Sequence, residues 1–340
     1  MFKVGVIGCG YWGPNLIRNF TQLSRSDVTR VADLNEDRLQ HMKGLYPKIE
    51  TTTNYREIIS DPDIDIVAVA TPVHTHHKFA REAISAKKHV FVEKPIASSS
   101  EEAEELIFLS KKNGVKLMVG HTFLFTAAVR KMKDIINSGE LGEIYYISSQ
   151  RLNLGLFQND INVIWDLAPH DVSIILYLLD KYPQTVSAVG ASHINTTIED
   201  VAVMTLQFSK SLLAFIHTSW LDPDKIRKIT VVGSKKMMVY DDVQPTEKIR
   251  IYDKAVKVPK HYDTYAEFHY SYKYGDIVIP KIDGDEPIFV ELRHFLDSIT
   301  NNEEPLSNGE NGLQVVKILE AAGKSLKAQN VPVTVNGEYA

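Results

Sequence analysis

A glycine-rich turn between a strand pattern and a helix pattern constrains the fold of this chain more than any other feature. Val4 to Ile7 form a short apolar run, and the next six residues, Gly8-Cys9-Gly10-Tyr11-Trp12-Gly13, follow the spacing G-x-G-x-x-G. In a strand–turn–helix unit, the first glycine permits the tight turn, the second lets the backbone approach a pyrophosphate, and the third allows close helix–strand packing. The turn therefore predicts a dinucleotide site that includes Gly8, Gly10, Tyr11, Trp12 and Gly13.

An acidic residue at the end of the second strand pattern supports this interpretation. Asp33 follows the apolar run Val28 to Ala32 and lies twenty residues after Gly13. A carboxylate there accepts hydrogen bonds from the adenosine ribose diol and repels a 2′-phosphate, which favours NAD over NADP. The alternative is a packed strand–helix turn without a cofactor. Cys9 is interpreted as a small residue in the turn rather than a nucleophile.

The first 120 residues alternate between strand and helix patterns. The almost wholly apolar strands, Ile64 to Ala70 above all, are typical of a parallel sheet that is covered on both faces. Ser98-Ser99-Ser100-Glu101 resembles a helix start, because serine hydroxyls accept the free N–H groups of the first turn. We therefore predict an α/β domain over residues 1–120, with a doubly wound parallel sheet that binds NAD.

Residues 121–340 show a different order of secondary-structure patterns. Several strand patterns follow one another without helices between them, which predicts a mostly antiparallel open sheet in an α+β domain. These patterns are Ile144 to Asn153, Val186 to Ile194, Val201 to Phe208, Leu212 to Trp220 and Ile226 to Val232. Helix patterns near Val129 to Asn137, over Leu167 to Leu179, and at the C-terminus over Val290 to Thr300 and Gly312 to Ala328 complete the chain. We expect this domain to bind the substrate and mediate oligomerisation, with the C-terminal helices packing on the assembly or back on residues 1–120.

Composition and charge exclude several classes of protein. A formal charge of −5 and a pI near 6.2 argue against a nucleic-acid partner. The longest apolar runs span about ten residues, roughly half of what a membrane-crossing helix needs. The lone cysteine excludes an internal disulfide framework, and the N-terminus begins a strand pattern without a basic leader. The expected location is the cytoplasm, with no membrane insertion.

Two further motifs resemble one known family. The first motif comprises Thr71-Pro72, His76, Lys88-His89-Val90 and Glu93-Lys94-Pro95. The second, further along the chain, is Asp166-Leu167-Ala168-Pro169-His170-Asp171. The chain is similar over essentially its whole length to the glucose–fructose oxidoreductase/inositol dehydrogenase (Gfo/Idh/MocA) family. The resemblance implies a Rossmann NAD domain and NAD(P)-dependent oxidation or reduction of a sugar or cyclitol hydroxyl. It makes Lys94 and His170 the catalytic pair and adds Thr71, Pro72, His76, Glu93 and Lys94 to the cofactor side.

The chemistry of these side chains fits that activity. A histidine with a pKa of about 6.5 suits general-base catalysis, and a lysine ammonium stabilises negative charge on the reacting oxygen. Asp166 and His170 are four residues apart, so one helix face presents both, and Asp166 either binds a sugar hydroxyl or orients the histidine. The alternatives are a surface lysine before a proline, a helix-face histidine and a helix N-cap. Glu93 is interpreted as structural, kept ionised by Lys94 beside it.

The histidine-rich segment around His76 does not indicate a metal site. His74, His76 and His77 lie close together in sequence, but no carboxylate or cysteine completes a tetrahedral set. We interpret the segment as a loop over the cofactor, and no metal is predicted.

The chain departs from the common pattern of the family in two places. Residues Gly120 to Phe125 contain no arginine where many relatives have an arginine-bearing stretch, and Lys87 stands where relatives usually have a glycine. Arg151 and Asn153 share one face of a strand pattern, where an arginine suits a diphosphate; the alternative is a surface arginine. Together with Trp165 to Asp171, these residues resemble the nucleotide-sugar branch, which oxidises the C3 hydroxyl of UDP-N-acetylglucosamine-type sugars for cell-surface glycan or lipid A biosynthesis. Lys94, Arg151, Asn153, Asp166 and His170 are the predicted substrate residues.

Other functions stay open at this point. An inositol or free hexose dehydrogenase, a keto-sugar reductase and a non-catalytic NAD-binding sensor are the alternatives. An aromatic-rich segment, comprising Tyr262, Tyr265, Phe268, Tyr270, Tyr272 and Tyr274, fits either a sugar-nucleotide pocket or a subunit interface. We favour the interface, and expect a homodimer or homotetramer formed through the sheet of the second domain.

Overall fold

A computed structural model of the chain describes residues 1–257 and 271–335. The chain divides into two compact units. Unit 1 comprises Met1–Thr126 and Gly284–Lys317, and unit 2 comprises Ala127–Asp283 and Ile318–Ala340. The sequence placed a single boundary near residue 120. In the structure the first unit extends to Thr126 and is discontinuous, because residues 284–317 belong to it.

Unit 1 contains a six-stranded parallel sheet in the order β3-β2-β1-β4-β5-β6. This confirms the predicted doubly wound sheet. The short, half-exposed strand β3 has no apolar run and was not predicted from the sequence. The strands are β1 (Phe2–Ile7), β2 (Ser26–Ala32), β3 (Glu50–Thr52), β4 (Ile66–Val69), β5 (His89–Glu93) and β6 (Leu117–Gly120).

Helices flank this sheet in alternation with the strands. The cap predicted at Ser98 to Glu101 is present, because the Ser99 hydroxyl accepts the backbone N–H of Glu102 at 3.2 Å. The same helix ends at Gly114, whose φ of 66° is left-handed. The helices of unit 1 are α1 (Gly13–Gln22), α2 (Glu36–Leu45), α3 (Arg56–Ile59), α4 (His76–Ser85), α5 (Ser100–Asn113) and α8 (Pro287–Asn301).

Burial of both sheet faces holds unit 1 together. All four residues of β4 are buried, as expected for a strand with a helix layer on each side. The returning helix α8 contributes to this core, because the ring of Phe295 packs 6.1 Å from that of Phe91 on β5. At the surface, Arg18 on α1 forms an ion pair with Glu286, the residue that precedes α8. Residues 284–317 are therefore part of the packing of unit 1.

Unit 2 contains a sheet of nine described strands in the order β14-β13-β12-β11-β7-β10-β9-β8-β15. Neighbouring strands are antiparallel except β7 and β10, which confirms the mostly antiparallel prediction. The strands are β7 (Ile144–Leu152), β8 (Thr185–Ala191), β9 (Val201–Gln207), β10 (Leu213–Ser219), β11 (Ile226–Gly233), β12 (Met237–Asp241), β13 (Ile249–Lys257), β14 (Ser271–Val278) and β15 (Val333–Thr334).

One face of this sheet is covered and the other is open. On β9, Ala202, Met204 and Leu206 are buried, whereas Val203 between them is 40% exposed. The helices of this unit are α6 (Ala127–Asn137) and α7 (Val163–Leu179), and α9 (Gly309–Lys327) spans the division between the units. None of the described helices has the length and apolarity needed to cross a membrane.

Candidate active site

The glycine turn has the geometry that its spacing predicts. Gly8 has a φ of 103°, and a Cβ there would lie 2.4 Å from the carbonyl oxygen of Ala70. A Cβ on Gly13 would lie 2.0 Å from the carbonyl oxygen of Gly8. Neither position accepts a side chain, because both contacts are with rigid backbone atoms. The first and third glycines therefore serve the turn and the packing of α1.

Gly10 differs, because the space beside it is open. A Cβ at Gly10 would meet its nearest neighbour, Nη1 of Arg38, only at 3.9 Å. The side chain of Trp12 makes no capping hydrogen bond to the first turn of α1, and helix N-termini are sites where anions bind. Tyr11 is 83% exposed and Trp12 is 37% exposed at this turn. These residues fit the pyrophosphate of a dinucleotide.

Asp33 lies directly after β2, and both of its carboxylate oxygens are engaged. Oδ2 accepts the backbone N–H of Cys9 at 2.6 Å, and Oδ1 accepts that of Asn35 at 2.8 Å. Arg38 on α2 approaches the same carboxylate at 3.8 Å. The carboxylate therefore links the glycine turn to the end of β2, the position at which dinucleotide-binding folds hydrogen-bond the ribose hydroxyls. The sequence did not identify Arg38, which lies one helical turn beyond the Asn35 cap.

Burial and a neighbouring charge determine the protonation state of Cys9. Burial first, and then the charge of Asp33, raises the pKa of the Cys9 thiol to about 12. The thiol is thus protonated near neutrality, in agreement with its interpretation as a turn residue rather than a nucleophile.

His76 connects the loop after β4 with the loop after β5. Its Nδ1 lies 2.8 Å from the carbonyl oxygen of Pro95, and its Nε2 lies 2.7 Å from that of Thr71. The ring is 1% exposed. Burial lowers its pKa, although both carbonyl oxygens favour the protonated form. His76 therefore positions the Thr71-Pro72 loop, and its own ring is enclosed by protein atoms.

Lys94 follows β5 at the carboxyl edge of the parallel sheet, and its peptide bond to Pro95 is cis. Ligands bind at this edge in sheets of this kind. Glu93, immediately before it, is buried, and burial raises the pKa of Glu93 to about 7 against the opposing effect of the Lys94 charge. The sequence predicted that Lys94 would keep Glu93 ionised. Desolvation is stronger than that attraction, so Glu93 titrates near neutrality.

Two buried titratable residues of unit 1 were missed from the sequence. His121 follows β6 and is 1% exposed, and Glu291 on α8 is fully buried. Burial lowers the pKa of His121 to about 3 and raises that of Glu291 well above its usual value. His121 follows Gly120 in a segment noted only for its missing arginines, and Glu291 lies far away in sequence. No sequence pattern links the two.

In unit 2, Asp166 and His170 lie one turn apart near the start of α7, and both are partly exposed. The helix starts where Asn162 caps it, its side-chain oxygen accepting the N–H of Trp165 at 3.2 Å. The indole N–H of Trp220, at the end of β10, donates to Oδ2 of Asp166 at 3.0 Å. Asp166 is therefore held from a neighbouring strand, a partner that the sequence did not reveal.

Arg151 occupies a different environment from the one expected for a diphosphate ligand. Its side chain is 6% exposed, and its Nε donates to Oδ2 of Asp171 at 2.6 Å. The hydroxyl of Ser149 donates to the other oxygen of the same carboxylate at 2.7 Å. Arg151, Ser149 and Asp171 thus form a buried polar cluster between β7 and α7. Asn153 lies just beyond β7, partly exposed, and its N–H donates to the carbonyl of Ser219 at 3.2 Å.

His77, next to His76 in the predicted cofactor loop, has separate surroundings. His77 Nε2 lies 2.8 Å from Oε2 of Glu105 on α5, and Arg81 donates to the other oxygen of that carboxylate. Within residues 1–257 and 271–335, no group of three or more His, Cys, Asp or Glu side chains is arranged to hold a metal ion.

Two family models match consecutive parts of the chain. The model described as "Oxidoreductase family, NAD-binding Rossmann fold" matches residues 2–121, and the model described as "GFO/IDH/MocA C-terminal domain" matches residues 129–239. Both the glycine turn with Asp33 and the α7 residues Asp166 and His170 fall inside the matched ranges.

Curated proteins and solved structures resemble the chain over nearly its whole length. An uncharacterized oxidoreductase, YrbE, of Bacillus subtilis is 26% identical, with 97% of this chain and 96% of that protein covered. The myo-inositol 2-dehydrogenase of Thermotoga maritima is 25% identical, with 96% of both covered. The structure of UDP-N-acetylglucosamine 3-dehydrogenase GnnA from Acidithiobacillus ferrooxidans superposes with a TM-score of 0.78 at 22% identity, covering 96% and 97% of the chains.

Proposed function

Because the chain belongs to the GFO/IDH/MocA family of NAD-binding oxidoreductases, we propose that it oxidises the C3 hydroxyl of a UDP-N-acetylglucosamine-type nucleotide sugar to a 3-keto sugar. Its relatives place it among oxidoreductases that act on CH–OH groups. The observation that carries the proposal is the Asp166–His170 pair near the start of α7, in which Trp220 holds Asp166 and both residues are partly exposed. A carboxylate and a histidine so placed can bind a hydroxyl and remove its proton.

Each residue has a separate role in this reaction. The Lys94 ammonium, at the carboxyl end of β5, binds the reacting oxygen and stabilises its negative charge. His170 takes the hydroxyl proton as general base, and Asp166 binds a neighbouring hydroxyl or orients the imidazole. When bound, NAD supplies the hydride acceptor.

We assign NAD rather than NADP as the cofactor. The Gly8 to Gly13 turn and the N-terminus of α1 would hold the pyrophosphate, and Asp33 would accept the ribose hydroxyls. Asp33 repels a 2′-phosphate, although Arg38 lies 3.8 Å from its carboxylate. Two backbone N–H groups already hold the Asp33 carboxylate, so it can accept the ribose hydroxyls without changing its conformation.

The choice of a nucleotide sugar depends on the residues around the substrate positions. The Trp165 to Asp171 motif and the absence of arginines from Gly120 to Phe125 support it. Arg151 gives it no support, because Asp171 engages that guanidinium inside unit 2. The second candidate is an inositol substrate, which the full-length likeness to a myo-inositol 2-dehydrogenase favours.

The test is NADH formation by the purified protein with NAD and one sugar at a time. UDP-N-acetylglucosamine should give NADH above the sugar-free control, particularly when a glutamate-dependent aminotransferase removes the keto product. Free N-acetylglucosamine and myo-inositol are the comparison substrates. NADH with myo-inositol alone would replace the nucleotide sugar by a cyclitol, and no NADH with any of them would contradict the proposal.

Variants test the assigned roles. Lys94→Met and His170→Asn should each lower kcat by about 100-fold or more while NAD still binds. The matched control is His41→Asn, on the exposed surface of α2, which should leave the rate unchanged. Full turnover in both site variants would contradict the assignment.

We also propose that the protein forms a homodimer or homotetramer through the open face of the unit 2 sheet. Large side chains are exposed along its strands, including Tyr146 on β7, Val189 on β8 and Val203 on β9. Tyr272 and Tyr274 of the aromatic segment are exposed on β14. Tyr262, Tyr265, Phe268 and Tyr270 lie outside the described residues. Sedimentation would give the subunit number, and a monomer would contradict this assembly.

A further inference from the structure

Two carboxyl groups are buried beside residues 120–122, next to the end of β5, and the proposed reaction uses neither. Glu93 is 7% exposed and Glu291 is fully buried. Oε1 of each has no hydrogen-bond partner among the described residues. Burying one carboxylate costs several kcal/mol, and burying two close together costs more. The fold must therefore neutralise at least one of them.

The turn after β6 connects the two carboxyl groups. Glu93 pairs with Gly120 across the β5–β6 ladder, and a Cβ on Gly120 would lie 3.0 Å from Oε2 of Glu93. Two residues further on, the Thr122 hydroxyl donates to Oε2 of Glu291 at 2.7 Å. One short segment thus contacts both carboxyl groups and brings α8 to the end of β5.

His121, between those two contacts, is the third buried group. Neither ring nitrogen has a hydrogen-bond partner among the described residues. Burial, together with the charge of Lys94, keeps the pKa of His121 far below neutrality, so the ring is neutral. It cannot supply the positive charge that two buried carboxylates would require.

Lys94 is the positive charge that affects this cluster. It lowers the pKa of Glu93, which it follows at the end of β5, and it also lowers the pKa values of His121 and of His76 on α4. Glu93 raises the pKa of Glu291, which burial has already raised. The Glu291 carboxyl therefore holds its proton to a higher pH than Glu93, whose ionised form Lys94 stabilises.

We propose that Glu93 and Glu291 form a buried carboxyl pair that carries a single negative charge, with the proton on Glu291 and the charge on Glu93. Glu93 is then the counter-ion that positions the Lys94 ammonium and keeps it protonated. Both carboxyl groups are positioning residues. This inference rests on the proposed role of Lys94, and its first test is independent of that role.

The first test is infrared difference spectroscopy without substrate. At a pH about one unit above the pKa of Glu93, the wild-type protein should show the carbonyl stretch of a buried protonated carboxylic acid. Glu291→Gln should remove that band, and Glu93→Gln should keep it. The glutamine at residue 291 still accepts the Thr122 hydroxyl, so the fold is retained. A wild-type spectrum without the band, or a band that only Glu93→Gln removes, would overturn the pair.

The second test is the pH profile of kcat/KM. Glu93→Gln removes the negative charge beside Lys94, so the fall of kcat/KM at alkaline pH, which reports loss of the Lys94 proton, should begin about one pH unit or more lower. Glu291→Gln removes no charge, so that fall should begin at its wild-type pH. Glu105→Gln, a surface carboxylate paired with His77 and Arg81, is the matched control. Equal shifts in the Glu93 and Glu291 variants would mean two charges and would overturn the proposal.

The two tests separate the possible failures. The infrared result does not depend on any substrate, so a protein that oxidises no sugar can still show the carboxyl pair. A normal sugar oxidation with no protonated band would reject the pair and leave the proposed function in place.

Discussion

The indole nitrogen of Trp220 lies 3.0 Å from Oδ2 of Asp166 and joins the end of β10 to the first turn of α7. Trp220 is 1% exposed, and Phe157 packs against its ring at 5.6 Å. The rotamer of Trp220 is therefore fixed by packing, and its N–H points at a carboxylate that remains partly exposed. A rigid donor of this kind sets the direction of the other Asp166 oxygen.

Trp220→Phe should lower kcat/KM by about 10- to 100-fold, because a hydrogen bond to a charged group contributes about 1.5–3 kcal/mol. NAD affinity should not change. Steady-state kinetics with a binding titration measures both. Tyr240→Phe is the matched control, since it removes another buried donor to a carboxylate, Asp242, in the same unit. If both variants lose stability equally and neither loses activity, Trp220 has no positioning role.

Gly10→Ala should weaken NAD binding by about tenfold or more while the free energy of unfolding stays within about 0.5 kcal/mol of the wild type. The added methyl group meets no protein atom closer than 3.9 Å, so its only effect is on the space beside the turn. Fluorescence titration and urea unfolding measure the two quantities. Gly44→Ala on α2, also in open space, should leave binding intact. Normal NAD affinity in Gly10→Ala would place the pyrophosphate elsewhere.

Asp171→Ala should destabilise the protein by about 3–5 kcal/mol, because it leaves the buried Arg151 guanidinium without its carboxylate. Replacing both residues, as in the double variant Arg151→Met with Asp171→Leu, should recover much of that loss. Urea unfolding gives the free energies. A variant of Arg151 that is as stable as the wild type but has a raised KM for a nucleotide sugar would instead restore its predicted role as a diphosphate ligand.

His121 should make the folded state sensitive to acid. Burial lowers the pKa of His121 to about 3 from its ordinary value of about 6.5. The unfolded chain therefore takes up a proton first, and stability is lost as the pH falls from about 6.5 towards 3. Between about pH 6.5 and pH 5, His121→Leu should lose about 2 kcal/mol less than the wild type. The exposed His41→Leu serves as control, and parallel curves for all three proteins would contradict a neutral buried His121.

Local patterns in the sequence were sufficient for much of the fold. Apolar runs with glycine and serine boundaries identified β1, β2, β4 and the cap of α5, because those signals lie within a few neighbouring residues. The prediction missed β3, whose three residues are half-exposed, and it stopped before β12. Strands of this kind form because a neighbour offers free backbone groups, which is a tertiary cause that a single segment does not show.

The site was predictable only where the chemistry is local. The glycine turn, Asp33 and the Asp166–His170 spacing are local signals. The structure shows the tight turn and one helix that carries the pair, and the roles of these residues stay predictions. The partner of Arg151 lies twenty residues away, and Glu291 lies 198 residues beyond Glu93. Whether a charged side chain contacts a ligand or another side chain depends on its burial and on partners far away in sequence. The residue type and its local pattern reveal neither.

The discontinuity of unit 1 has a consequence for gene truncation. A fragment that stops at Thr126 contains the whole glycine turn, Asp33 and Lys94, yet it lacks α8. It would expose Phe91 where Phe295 covers it and leave the Glu93 carboxylate without Glu291. The smallest autonomous cofactor-binding protein would therefore require residues 284–317 to be rejoined to residue 126 by a linker in place of the intervening segment.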